Sequence, residues 1–388
     1  MCQSTALPAV EIMTDPDRKA RFVSAEVAAK NNAADSANAW LRGELPPGDG
    51  YDYPLDLDDL GRSVGERSYI AVVHADGNGM GQRIRVIGQE TDNRTYIQEM
   101  RNFSEKVKAI SKAAMTSVID LLKQKTLDGI EIPGTRTVSS LRFDDNYKNR
   151  LFLPIRPIVF GGDDTTFVCD GRLGLSLTVE YLKAFEIVAQ EYGLNLSACA
   201  GVAMVKSHYP FARAYQLSED LSDEAKSFRR ERFPEGGGAL DWYFTSGGLY
   251  DKLEPMRERE YKVKAGNLML RPVSLGAEGV VRSWSEIERL TAAFQNDWVD
   301  MRNKAKAFRD ALREGPSAVK RFRTIYIDKK SADAPIIPTL AGFDETGWGE
   351  QPFPDVDDYD TPKQVCGYFD ALELMDIHMP LLETKTQS

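Results

Sequence analysis

The chain has 388 residues, 42% hydrophobic and 28% charged, with a formal net charge of -10. This is an ordinary globular composition, long enough for two domains or for one with sizeable additions. Its acidity disfavours non-specific duplex binding, which depends on Lys and Arg neutralising phosphates, and no apolar run approaches the roughly 18–20 residues of a membrane span.

The N-terminus lacks the basic-then-apolar order of a secretory signal. Cys2, Cys169, Cys199 and Cys366 are scattered, with no C-x-x-C pair for zinc or redox chemistry. We therefore expect a reduced, cytoplasmic protein. Residues 1–65 form an N-terminal extension, with an Ala-rich helical segment, SAEVAAKNNAADSANAWL, and a Gly/Pro/Asp linker, GELPPGDGYDYPLDLDD. Tyr69–His74 is a buried strand running into the Gly-rich turn DGNGMG. Residues 95–125 lack Gly and Pro and carry apolar residues at helical spacing, so they form a long helix. The polar segment DGIEIPGTRTVSSLRFDDNYKN is an irregular insertion. IRPIVF and TTFVC are two strands joined by a tight turn at Gly161 and Gly162. LGLSLTVEYLKAFEIVAQEYG is a second helix closed by Gly193, and NLSACAGVAMV a further buried strand. Pro210 opens a helix whose Ala214, Leu217, Leu221, Ala225 and Phe228 share one face. ALDWYFTSG is another strand.

Residues 68–206 thus read βαββαβ, the split-βαβ order of a ferredoxin-like unit, an α+β fold. Such a unit is an antiparallel sheet with both helices on one face, leaving the other for a partner or substrate. We assign residues 66–275 to this palm-like domain and 276–388 to a mostly helical C-terminal region. There WSEIERLTAAFQNDWVDMRNKAKAFRDALREG reads as one long helix and FDETGWGEQPFPDVDDYD as an acidic loop. The locally basic stretch Arg302–Arg323 reads as a solvated helix face of mixed charge.

The chemistry concentrates in three carboxylates. Asp76 follows the first strand; Asp163 and Asp164 sit at the hairpin between the second and third. In βαββαβ topology the first and third strands are central neighbours, so the fold brings these acids together. Without a cation they repel and a pKa rises; with Mg²⁺ or Mn²⁺ the same oxygen donors are favourable. Two such ions serve in-line displacement at phosphorus. Gly77, Gly79 and Gly81 let the backbone approach a triphosphate, with amides and a carbonyl directed at phosphate or metal. Taken singly, GGDD and DGNGMG are turn sequences. Their conjunction at strand ends of one unit carries the expectation.

The segments YIAVVHADGNGMG, VFGGDDTTFV, LSACAGVAMVKSHYPFARAYQLSEDLSDEAK and GALDWYFTSG together resemble the palm domain of the large polymerase-like subunit of type III CRISPR complexes. The version of a stand-alone, minimal CRISPR polymerase fits best, and GGDEF diguanylate cyclases are similar at greater distance. The resemblance covers about residues 66–246, with the motifs in family order. It implies a nucleotidyl cyclase or oligonucleotide synthase that joins NTPs, ATP favoured, by 3′-hydroxyl attack on an α-phosphate. The product is a cyclic nucleotide or oligonucleotide signal in antiphage defence, read by a downstream effector.

By motif, Asp76, Gly77, Asp163 and Asp164 hold two Mg²⁺ or Mn²⁺ ions. Gly77, Asn78, Gly79, Gly81, Gly161, Gly162, Lys206, Ser207 and Lys226 border the nucleotide, the lysines on phosphate. The sequence shows one palm and no cysteine cluster, and its three histidines are too dispersed for a nuclease; His74 reads as a strand residue beside the site. A lone palm that joins two nucleotides needs a second surface, so a homodimer through the palm is expected. The alternatives are a non-catalytic nucleotide sensor and a nucleic-acid-binding, polymerase-like subunit. The intact GGDD opposes the first and the net charge the second.

Overall fold

The computed structural model describes residues 1–2, 5–14, 19–57, 60, 69–89, 92–128, 151–234, 236–245, 252–276, 280–328, 334–350 and 364–381. The insertion expected after residue 128 and most of the acidic loop lie outside them. The chain divides into two compact units, Met1–Gly48 and Asp49–Ser388.

In the first unit β1 (Glu11–Thr14) and β2 (Ala20–Val23) pair antiparallel, and α1 (Ala25–Glu44) follows. The helix begins where the Ser24 side chain accepts from the Val27 N–H, satisfying one of the free donors of the first turn. No hairpin is expected here from the sequence, although Asp15, Pro16 and Asp17 between the two strands are turn residues.

The second unit opens with β3 (Tyr51–Asp52), β4 (Tyr69–Gly77), α2 (Met80–Val86) and α3 (Asn93–Asp128). Then come β5 (Leu151–Phe152), β6 (Ile155–Val159), β7 (Asp164–Asp170) and α4 (Gly174–Glu191). β8 (Ala198–Lys206), α5 (Phe211–Arg232) and β9 (Ala239–Phe244) complete the expected series. Beyond it lie α6 (Leu253–Tyr261), β10 (Lys262–Val263), β11 (Gly266–Asn267) and β12 (Val273–Ser274). α7 (Trp284–Asp297), α8 (Arg302–Glu314), α9 (Pro316–Tyr326), β13 (Trp348–Glu350), β14 (Gln364–Cys366) and α10 (Phe369–Leu374) end the described chain.

A six-stranded sheet runs in the order β12-β9-β8-β4-β7-β6. Four of its strands, β8-β4-β7-β6, stand 4-1-3-2 when numbered in chain order, with β4 antiparallel to both β7 and β8. This is the ferredoxin-like palm. β9 adds parallel to β8, and β12 antiparallel to β9. Pro157 is tolerated because β6 is the edge strand, and the register shifts between Pro157 and Val159.

Strand alternation assigns the two faces. A Cβ built on Gly174, at the start of α4, would meet Val202 Cγ1 at 3.3 Å, so α4 lies on the face of Ala71, Val73 and Val202. α3 packs beside α4 on that face, through a buried hydroxyl bridge from Ser111 to Thr165 and Tyr181. The opposite face is not open, as the bare unit would leave it. α5 lies across it, burying Ala214, Leu217, Leu221, Ala225 and Phe228, the stripe seen in the sequence. Ser222 Oγ donates to the Cys199 carbonyl of β8.

One expected helix is two. The chain over residues 284–315 breaks between α7 and α8 although no Gly or Pro interrupts it. Tertiary packing makes the break: Trp298, just past α7, stacks near-parallel on Phe322 at 6.4 Å and meets Phe308 at 5.5 Å. A continuous helix would carry α8 away from that cluster. The buried Arg271 guanidinium is held by Asp370, whose carboxylate also accepts the Leu270 N–H at 2.7 Å, which ties β14–α10 to the palm's flank. Among the described residues, no helix is long and apolar enough to cross a membrane.

Candidate active site

The sequence places Asp76 after the first strand, but the strand continues through Gly77. Asp76 is therefore a ladder residue, directly opposite Asp164 on β7 and Cys199 on β8. Directly opposed residues of an antiparallel pair bring their Cβ atoms to about 5 Å on the same face. Like charges there are destabilising, so this pairing asks for a cation. His74, two residues before Asp76, shares that face. One donor atom each from His74, Asp76 and Asp164 lies within 4.8 Å of the others. Sequence reasoning set His74 beside the site; its i, i+2 spacing to Asp76 on a strand is the signal that puts it inside.

Asp163 goes the other way. The Gly77 N–H donates to the Asp163 carbonyl at 3.1 Å, continuing the ladder by one position. A Cβ at Gly77 would lie 3.1 Å from Asp163 Cβ, so Asp163 shares the Gly77 side and not that of Asp76. The three expected carboxylates are thus a facing pair plus one on the reverse side.

The turn that presents them is held from α3. The Gly161 N–H donates to Ser111 Oγ at 3.3 Å, and Gly161 adopts φ +96°, a left-handed conformation that suits glycine. Ser111 also bonds Thr165 Oγ1 at 3.0 Å, and Thr165 bonds the Tyr181 hydroxyl at 2.7 Å. Burial pushes the Tyr181 phenol up to about 12, so it stays a neutral partner in this network. Lys108 of α3 runs beside the turn, its Cγ 3.7 Å from where a Gly161 Cβ would be. Thr165 directly follows the GGDD motif, but Lys108, Ser111 and Tyr181 lie in no motif. Only the packing of α3 and α4 under the hairpin selects them.

α5 supplies the cation seen at the pair: the Lys226 ammonium bonds the Asp76 carboxylate. Tyr215, one of the helix's inward residues, packs edge-on against His74 with ring centroids 5.6 Å apart, and Thr166 Oγ1 lies 3.3 Å from His74 Nδ1. Burial, then Asp76 and Asp163, lift the Asp164 carboxyl above its ordinary value, with His74 opposing them. Burial and a hydrogen bond to Glu219 push Tyr215 up to about 12.

The remaining expected residues divide. Gly79 turns the chain at φ +69° into α2, and a Cβ at Gly81 would meet nothing within 4 Å, so the backbone beside Asp76 is open to a ligand. Gly162 is similarly open, its Cβ position touching only the Asp164 backbone nitrogen at 3.9 Å. Asn78 is buried: its side chain donates to Ser197 Oγ at 3.0 Å and its N–H to the Ser197 carbonyl at 2.8 Å. It fastens β4 to the start of β8 rather than facing a nucleotide. Lys206 and Ser207 are the clearest correction. Lys206 pairs with Tyr69, whereas Asp76 pairs with Cys199, seven register positions along β8. At about 3.3 Å per residue Lys206 is roughly 23 Å from the carboxylates, at the other end of the sheet. β8 and α5 follow one another as the motif implies, but the direction of β8 carries Lys206 away from the site.

The donor set fits a divalent cation. Two carboxylates share one ladder position, one has a pKa raised by burial and then by its acidic neighbours, and a lysine ammonium is already drawn to the other.

Residues 69–233 match the model of the Cas10/Cmr2 second palm domain. That segment is a Cas10-like palm. Among solved structures the chain is similar to a Csm1-Csm4 cassette in complex with cA3, at 14% identity and TM-score 0.40, covering 83% of this chain and 38% of that one. The cassette with pppApApA gives 16% identity and TM-score 0.41, covering 84% and 39%. Csm1 in T. onnurineus gives 17% and 0.41, covering 83% and 40%. The chain therefore spans about two fifths of the length of these structures' matched chains. No curated protein matches it.

Proposed function

We propose that the palm is a metal-dependent nucleotidyltransferase that joins NTPs, ATP favoured, by attack of a 3′-hydroxyl on an α-phosphate, releasing pyrophosphate. The product is a cyclic nucleotide or cyclic oligonucleotide signal, made in the cytoplasm for antiphage defence and read by a downstream effector. The observation that carries this reading is Asp76 directly opposite Asp164 on the central strands of a Cas10-like palm.

Asp76 and Asp164 would hold Mg²⁺ or Mn²⁺, with the Gly77 carbonyl as a backbone donor. When bound, the ions supply positive charge to the attacking hydroxyl and to the leaving pyrophosphate. The chain positions these partners. The Ser111–Thr165–Tyr181 network fixes the GGDD turn, and the open backbone at Gly79, Gly81 and Gly162 admits the triphosphate. Lys226, paired with Asp76 here, would be released to a phosphate oxygen of the nucleotide when that carboxylate holds a cation, which would keep its charge compensated.

Lys226→Ala is accordingly expected to weaken ATP binding about tenfold, the scale of one charge-assisted hydrogen bond. Lys206→Ala should leave it within about twofold, since that lysine lies at the far end of β8. Calorimetry with a non-hydrolysable ATP analogue and Mg²⁺ reads both.

A homodimer through the palm is part of the proposal, because one ferredoxin-like unit among the described residues must present two nucleotides to each other. Light scattering during turnover should show a dimer; full synthase activity from a monodisperse monomer would remove this element. The central experiment incubates the protein with ATP, GTP and Mn²⁺ and follows pyrophosphate and product masses. The Asp163→Ala/Asp164→Ala double variant should release none. A nucleotide-binding sensor would bind ATP and release no pyrophosphate in either form.

A further inference from the structure

His74 is an unusual residue for its place. It sits on the central strand in series with Ile70 and Val72, under α5, and is only 8% exposed. An aliphatic side chain would fill that position without the cost of burying a polar ring. The imidazole is instead built in from two sides: Thr166 Oγ1 lies 3.3 Å from Nδ1, and the Tyr215 ring stands edge-on at 5.6 Å. A hydroxyl partner on one ring nitrogen orients the imidazole, as outer partners orient metal-bound histidines. His74 also faces the carboxylate pair, its donor atom within the 4.8 Å cluster of Asp76 and Asp164.

We propose that His74 is a third protein ligand of the cation held by Asp76 and Asp164, and that its nitrogen makes the site favour transition ions over Mg²⁺. The inference rests on the metal-dependent reading of the same site. Mg²⁺ prefers an all-oxygen shell and keeps its waters, whereas imidazole affinity rises from Mn²⁺ to Co²⁺ along the first row. An Asp–Asp–His set therefore ranks the ions Mg²⁺, Mn²⁺, Co²⁺ in increasing affinity, where two carboxylates alone would separate them little. Two further side chains bear on ion entry. Lys226 must leave Asp76, and Asp163, on the reverse side, adds negative charge without adding a ligand.

The test uses the full-length protein without nucleotide, titrated with Mg²⁺, Mn²⁺ and Co²⁺ by calorimetry, with pulsed electron paramagnetic resonance of the Mn²⁺-loaded form. Wild type should show ¹⁴N coupling to Mn²⁺ and bind Co²⁺ at least about tenfold more tightly than Mg²⁺. His74→Gln should lose the coupling and reduce the Co²⁺-to-Mg²⁺ affinity ratio about tenfold, while His208→Gln changes neither. Absence of ¹⁴N coupling in wild type, or a ratio unaltered in a folded His74→Gln protein, overturns the inference. The wild-type spectrum decides the matter even where the variant does not fold. Asp164→Asn separates the two levels. If it binds all three ions like wild type, the carboxylate site itself is wrong. If it abolishes binding while wild type lacks nitrogen coupling, only the role of His74 falls.

Discussion

Asp164→Asn is expected to lower pyrophosphate release by about 10³-fold or more, the loss that follows when a metal-holding charge leaves a phosphoryl-transfer site. Asp163→Asn should cost about fivefold or less, the scale of a nearby screened charge. The asymmetry follows from register: Asp164 faces Asp76 across the ladder, and Asp163 lies on the Gly77 side. Stability should move oppositely. The Asp164 carboxyl is raised in the folded protein, so the native state binds its proton more tightly than the unfolded chain. Folding stability of the metal-free protein therefore falls as pH rises from the ordinary carboxylate value through the raised one. Asparagine carries no charge, so metal-free Asp164→Asn should melt above wild type at pH 7. The difference should vanish below the ordinary carboxylate range. Saturating Mn²⁺ should reverse the order, because only wild type gains from binding. Thermal melts at three pH values, with and without Mn²⁺, measure all of this. Equal activity losses in the two single variants would overturn the facing-pair geometry.

Local pattern and topology made the centre of the molecule legible. Alternation and turn chemistry gave β4, β6, β7 and β8, and helical spacing gave α3, α4 and α5. From their order the neighbourhood of β4 and β7 follows, and with it the meeting of Asp76 and Asp164. Register decided what pattern could not. A strand's alternation says that Asp163 and Asp164 part, but only the pairing of Asp76 with Asp164 says which of them joins the site. Lys206 shows the converse, since its motif matched while the direction of β8 removed it. Long-range packing accounts for the other misses. The Ser111–Thr165–Tyr181 hydroxyls come from three separate elements, and the break at Trp298 is set by Phe308 and Phe322 beyond it.

The placement of α5 is the step on which the site depends, and one glycine tests it. Gly201 on β8 pairs with His74 and lies beneath α5. A Cβ there would run into the Ser218 carbonyl oxygen, with Ser222 N at 2.5 Å and Leu221 Cβ at 2.6 Å. Two of these atoms are helix backbone, so no rotamer change relieves the contact. Gly201→Ala must push α5 off the sheet, at a cost of about 3 kcal/mol and a fall in Tm of roughly 5–10 °C. Gly79→Ala provides the comparison: it strains a φ of +69° but meets nothing within 4 Å, so it should cost only about 1 kcal/mol. Gly201→Ala should lose function as well as stability. α5 carries Lys226 and Tyr215, so at temperatures where Gly201→Ala remains folded its affinity for an ATP analogue should drop with that of Lys226→Ala. A Gly201→Ala protein that melts and binds like wild type would mean that α5 does not cover this face. Lys226 could then no longer sit at Asp76, and the coupling of phosphate binding to the carboxylate pair would go with it.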